Sequence, residues 1–225
     1  MADILYGKIA PSGKLPFTFP IRLEDSPAYA LDNFPQKAEV EGDLFGNQYR
    51  QDIQGQRRAA RRTPDAHYSE GLLVGYRWFD TKQKPVLYAF GHGLSYVDFN
   101  YANLKANKQQ YKMGDVITVS FDLSSQGDSF NGNPQAEAEA EEVAQLYVRH
   151  LGSTNTTWPY KELKAFKRVS LKQGETKHVT LQVPVSELRS WDENTNQWVL
   201  ESGELELLVG GSSAQTPLKT KIELK

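Results

Sequence analysis

A mainly β fold is what this sequence predicts: an antiparallel two-sheet sandwich over residues 99–225, behind a less regular stretch of 98 residues. Three observations carry the prediction. Apolar residues alternate with polar ones at period two from about residue 99 onward, turn-forming runs separate the alternating stretches, and seven or eight short strands fit within ~100 to 125 residues. The length of 225 residues suits one or two domains with a real core.

Phe99–Leu104 is the first candidate strand. The alternation is clearest in Val116–Leu123, where Ile117, Val119, Phe121 and Leu123 share one face and Thr118, Ser120 and Asp122 the other. Glu142–Val148 and Leu163–Leu171 follow, and Lys172-Gln173-Gly174-Glu175 supplies a turn. Val179, Leu181 and Val183 then alternate with His178, Thr180 and Gln182. Gln197–Leu200 and Glu204–Val209 flank the turn Glu201-Ser202-Gly203, and Leu218, Thr220, Ile222 and Leu224 alternate with Lys219, Lys221 and Glu223. One-sided patterns of this kind belong to antiparallel strands with a wet face. Their number and length suit a sandwich of the immunoglobulin or fibronectin type III kind.

Residues 1–98 keep no single period. Their apolar residues, among them Leu15, Phe17, Leu72, Trp78 and Phe90, need another surface to cover them. Within this stretch 24–66 reads as a variable, mobile excursion, and Gln135 to Glu142 as a solvated or frayed helical insertion in a sandwich loop. Neither 24–66 nor 131–142 carries a period that fixes its conformation.

Composition narrows the partners. With 26 basic and 28 acidic residues the net charge is −2, so no global attraction to nucleic acid or to an anionic membrane is expected. On a helix, Arg57 with Arg61 and Arg58 with Arg62 would lie one turn apart as a positive patch. In a balanced chain, a solvated face or a partner to the acidic run 39–43 is the stronger reading of that patch. The absence of cysteine removes disulfides, thiolate metal sites and cysteine nucleophiles. No stretch approaches a membrane span, and Met1 to Lys8 lacks the basic-then-apolar order of a signal peptide, so a soluble chain is expected.

Three motifs occur in order: Pro11-Ser12-Gly13-Lys14-Leu15-Pro16, Glu70-Gly71-Leu72-Leu73-Val74-Gly75-Tyr76-Arg77 and Phe90-Gly91-His92-Gly93-Leu94-Ser95-Tyr96. By themselves they read as aromatic-anchored turns, with glycines where the backbone bends most sharply. Taken together the chain resembles the C-terminal portion of glycoside hydrolase family 3, the β-glucosidase-like enzymes. The resemblance implies that 1–98 is the remnant of that family's α/β sandwich domain and 99–225 its fibronectin type III-like domain. Glu142 to Val148, Lys161 to Phe166 and Trp191 to Trp198 look like that domain's pattern.

The same resemblance implies a parent enzyme that hydrolyses O-glycosyl bonds, with the upstream barrel and α/β domains, or another chain, as partners. A periplasmic or extracellular parent would carry its export signal in that upstream part. Such hydrolysis needs two carboxyl groups across the scissile bond. The family's nucleophile and acid/base positions fall outside these residues, so no catalytic residue is assigned and the chain alone is expected to be inactive.

Local carboxylates have structural explanations. Glu70 near His67, Asp98 after the glycine turn, and Asp192 with Glu193 beside Trp191 read as ion-pair or turn residues. His67, His92, His150 and His178 lack ligand spacing, so neither metal nor cofactor is expected. Gly210-Gly211-Ser212-Ser213 lacks the lysine of a phosphate loop and reads as a strand-end turn.

Trp78, Trp158, Trp191 and Trp198 could each stack on a pyranose ring, but Trp191 and Trp198 are best assigned to the sandwich core or its rim. Trp158, in the polar loop 153–160, is the candidate contact to a sugar or to a domain interface. The alternative to a hydrolase part is a stand-alone carbohydrate-binding or subunit-association module, and aromatic exposure discriminates between them.

Overall fold

In the computed structural model the described residues are 2–7, 9–33, 48–51, 57–60, 68–126, 140–153 and 158–225. Their elements run in the order α1 (Ala2–Leu5), β1 (Phe19–Pro20), α2 (Pro27–Ala30), β2 (Gln48–Gln51), β3 (Arg57–Ala60), α3 (Tyr76–Thr81) and β4 (Val86–Tyr88). The second half continues with β5 (Asp98–Ala106), β6 (Gln110–Tyr111), β7 (Val116–Gln126), β8 (Ala140–His150), β9 (Glu162–Leu171) and β10 (Thr176–Pro184). It closes with β11 (Ser190–Asp192), β12 (Gln197–Val199), β13 (Gly203–Gly210) and β14 (Leu218–Leu224).

The sandwich consists of a three-stranded sheet, β10-β7-β5, facing a five-stranded sheet, β6-β14-β13-β8-β9. Every pair is antiparallel except β6 with β14. Strand β7 follows the expected register: Ile117, Val119, Phe121 and Leu123 are fully buried. Across the core they meet residues such as Leu146, Leu205 and Leu207 of the facing sheet. In β5 the pairing shifts between Ala102 and Lys105, where Asn103 takes a positive φ of 59° and donates from Nδ2 to Asp122 Oδ2 at 2.8 Å. A bulge there turns the strand while its polar side chain stays satisfied.

Two details of β8 depart from the sequence reading. First, the strand starts at Ala140, two residues before the expected Glu142, so Ala140 and Glu141 are strand residues instead of insertion: Ala140 pairs with Leu171 and Glu142 with Val169, and Glu142 is buried. Pairing along β9 rewards extension of the strand, and Lys14 neutralises the buried carboxylate. Second, residues 144–148 are buried on both faces of the sheet. Ala144, Leu146 and Val148 enter the sandwich core, while Gln145 and Tyr147 point outward and are covered by residues of the first 98.

Segments of the first 98 residues around Lys14, Tyr76 and Gly91 pack on the outer face of that sheet. Leu15 pairs by backbone with the glycine turn, its N–H donating to His92 O and its carbonyl accepting from Gly91 N, both at 2.8 Å. β1 pairs with β4. Leu72 to Phe79 would be expected from sequence to pair as a strand or to dock on the sandwich; from Tyr76 the chain instead forms helix α3, which buries Trp78 and Phe79. Trp78 Nε1 donates to Asp25 O at 2.9 Å and Lys84 pairs with Asp25 at 2.9 Å, so the start of the 24–66 excursion is tied to α3. Arg57–Ala60 is a strand paired with Gln48–Gln51 and not a helix, so the one-turn spacing considered for its arginines does not arise. Arg61, Arg62, His67 and 131–139 lie outside the described residues.

Candidate functional site

The three motifs converge on one junction. Gly91, at φ 82°, sits so close to β8 that a Cβ there would come within 2.5 Å of the Gln145 amide and 3.0 Å of Ser212 Cα. A Cβ on Gly93 would collide with the Gly13 carbonyl. These two glycines serve approach on opposite sides, one toward the sandwich and the other toward the Pro-Ser-Gly-Lys-Leu-Pro segment. Phe90 O accepts from Ser213 N at 2.9 Å, which ties the turn to the strand-end loop after β13. Gln145 donates to Gly211 O at 2.9 Å and accepts from the Tyr147 hydroxyl.

Two ion pairs and an aromatic cluster complete the junction. Lys14 Nζ lies 2.9 Å from Glu142 Oε1 and 3.0 Å from Oε2, across 128 positions of sequence. Lys161 donates to Ser213 O and lies 3.2 Å from Asp80 Oδ2 on α3, an ion pair without hydrogen-bond alignment. Burial pushes the Asp80 carboxyl up, and the Lys161 charge opposes that shift. Tyr76 stacks on Phe90 at 5.1 Å and meets Tyr147 edge-on at 5.7 Å, while its hydroxyl accepts from Leu163 N at 2.7 Å. Burial raises the pKa of both tyrosines, keeping them protonated as hydrogen-bonding groups.

Beside the junction lies an open cleft of about 750 Å³, lined in part by Lys14, His92, Ser95, Tyr101, Glu142 and Ser212. Its chemistry is that of a bracket. Glu142 already accepts from Lys14 through both oxygens and from Val143 N at 2.8 Å, leaving it poorly placed to exchange a proton with a substrate. The Tyr101 hydroxyl is buried, and its pKa is raised by that burial and then by the Glu142 charge.

The residues weighed from sequence scatter. Glu70 accepts from Asn33 Nδ2 at 3.2 Å. Asp98 is exposed at the start of β5, Asp192 accepts from Asn194 N and Thr195 Oγ1 within its own turn, and Glu193 is exposed beside it. His92 packs on Tyr88, and His178 pairs with Asp122 at 2.9 Å on the surface. Trp158 is half-buried, edge-on to His150 at 3.8 Å, with its indole N–H buried and without a hydrogen-bond partner among the described residues. Burial pulls His150 down to about 4.

Trp191 and Trp198 stand outside both sheets, on the separate β11–β12 hairpin, 48 % and 59 % exposed. Sequence reasoning missed Glu142, Asp80 and Lys161 as junction residues, because pairs so far apart along the chain leave no spacing signal. The lone lysine inside the first motif was the one available hint.

Residues 1–96 match the glycosyl hydrolase family 3 C-terminal domain, and residues 142–213 match a fibronectin type III-like domain. The chain is 34 % identical over 224 residues to the thermostable beta-glucosidase B of Acetivibrio thermocellus, covering all of this chain and 25 % of that protein. It is 32 % identical over 214 residues to beta-glucosidase BoGH3A of Bacteroides ovatus, covering 95 % of this chain and 24 % of the relative. Among solved structures, beta-glucosidase 3B from Thermotoga neapolitana in complex with glucose superposes with a TM-score of 0.74 at 32 % identity, over 99 % of this chain and 26 % of that one. The GH3 beta-glucosidase of Bifidobacterium adolescentis gives 0.74 at 30 % identity, over 99 % and 27 %. The chain thus spans about a quarter of the length of these relatives. The order of its motifs, the sandwich they brace and these matches together establish that the chain belongs to glycoside hydrolase family 3, as the family's C-terminal region.

Proposed function

We propose that this chain is the bracing region of a β-glucosidase-like hydrolase, one that carries no reaction centre and holds the remnant of the α/β domain rigidly against the fibronectin type III-like sandwich. The observation that carries this reading is the junction: Lys14–Glu142, Lys161–Asp80 and the Gly91 contact with Gln145 fix one side of residues 1–98 to the sandwich. The other side leaves Leu5, Tyr6, Ile9, Phe17, Leu72 and Leu87 more than half exposed. Apolar area of that density calls for a covering partner, and the upstream domains of the parent enzyme are that partner.

Aryl β-glucosides offered to the purified chain test the catalytic half of the proposal. No turnover is expected, because the nucleophile and the acid/base of glycoside hydrolysis are contributed by the upstream part. Turnover abolished by substituting a single carboxylate of these 225 residues overturns it. For the docking half, the chain mixed with the barrel and α/β part of a family 3 β-glucosidase should form a one-to-one complex by sedimentation. No association between the two parts would remove the bracing role.

A further inference from the structure

We infer that the β11–β12 hairpin is a glycan-binding corner, built by Trp191 and Trp198, for the glucopyranose rings of a neutral β-linked oligosaccharide. The two indoles are register partners on adjacent strands, 5.6 Å apart and inclined at 71°, so one offers a face where the other forms a wall. A β-glucopyranose ring carries axial hydrogens on both faces and hydroxyls around its edge. An L-shaped aromatic corner matches that pattern, taking the C–H face on one ring and leaving the edge for polar groups.

Polar groups stand beside it. Arg189 is extended and two residues before Trp191, which places it on the face of Trp191, and the hairpin turn carries Glu193 and Asn196 next to the two strands. The Arg189 guanidinium lies 5.9 Å from the Trp198 ring, confirming the shared face. All three are exposed. The corner is also fixed before any ligand arrives: Arg189 Nε donates to Ser186 O at 2.9 Å, and Asp192 holds the turn through Asn194 N at 3.0 Å and Thr195 Oγ1 at 2.7 Å. Fixed side chains lose little freedom on binding.

Size argues against a protein occupant. Two indoles about half exposed offer roughly 200–300 Å², against ~800 Å² per partner in a stable protein interface. Among the described residues, most of the large exposed apolar side chains belong to residues 2–98 and not to the hairpin. Trp158 does not compete for the role, because His150 abuts its ring and its N–H points inward.

Titration of the full chain with cellotetraose, read by the indole N–H resonances and by tryptophan fluorescence, tests the inference. Saturable shifts are expected at Trp191 and Trp198, with Trp78 and Trp158 unmoved and with sorbitol inert. Trp191→Ala and Trp198→Ala should each weaken binding by roughly tenfold. Trp198→Phe should retain most of the affinity, and Phe166→Ala, at another exposed ring, should change nothing. Two results overturn the site: no saturable shift up to the solubility of the sugar, or shifts that follow protein concentration and ignore sugar, which would mean that a second copy covers the corner. Neither depends on whether the chain hydrolyses anything, so this site and the bracing proposal fail separately.

Discussion

The sandwich and the 98 residues before it bury apolar side chains by different means. Strands β7, β8, β10, β13 and β14 supply alternating faces that close on one another, giving a core in which Phe121, Leu146, Leu205 and Leu207 have no exposure. The described part of the first 98 residues has little sheet or helix of its own and borrows the outer face of β8, through single anchors such as Tyr76 on Tyr147 and Gly91 on Gln145. A distributed core loses stability in proportion to the atoms removed, whereas an anchored surface is released when one or two contacts go.

The largest effect should come from the distributed core. Phe121→Ala is expected to cost about 3–5 kcal/mol in chemical denaturation, through lost burial and a cavity, while Ser120→Ala on the opposite face stays within about 0.5 kcal/mol. Equal costs for the two would mean that the β7 register is wrong.

Next in size is the ion-pair anchor. Lys14→Ala leaves Glu142 buried without its cation, at a cost approaching ~3 kcal/mol. Hydrogen exchange should show Leu15 and Gly91 opening while β7 and β10 stay protected. If β7 opens with them, the two regions are one cooperative unit and the contrast drawn above disappears.

Gly91→Ala combines a positive φ with a clash against Gln145, and about 1–3 kcal/mol is expected. Adding Gln145→Ala should recover only the part of the clash that Gln145 causes, and leave the close approach to Ser212 Cα and the conformational part. Full recovery would show that the left-handed backbone was never a constraint.

The last test concerns pH. His150 titrates at about 4 in the folded chain, below its ordinary 6.5, because burial disfavours the cation. Between those values the unfolded chain binds more protons, so stability should fall as pH drops from about 6.5 toward 4 and level off below that. His150→Gln should flatten that slope in melting curves recorded across the window. An unchanged slope would assign the acid sensitivity to another group, and not to Asp80, whose carboxyl, raised by burial, favours the folded chain as pH falls.

Much of this was legible in the sequence because a strand's period is a local property. The faces of β7, β10 and β14 follow from which residues alternate, and the two-sheet arrangement follows from their number and spacing. The helix at 76–81 was not legible: Tyr-Arg-Trp-Phe-Asp-Thr is too short to show a helical period, and its form is set by the burial of Trp78 and Phe79 and by the bond from Trp78 to Asp25. The exposure of Trp191 and Trp198 was equally hidden, since an aromatic beside a turn has the same local pattern whether its hairpin joins a sheet or stands apart.

The sequence by itself determined the sandwich, its inward-facing residues and the glycine turn, because alternation and backbone freedom are written in neighbouring residues. Only the tertiary structure decided that Lys14 meets Glu142 across 128 positions, that Gln145 and Tyr147 are buried by a different part of the chain, and that two tryptophans are left facing solvent. Contacts between distant segments depend on how the packed elements come together in space, and no local pattern of residues encodes that distance.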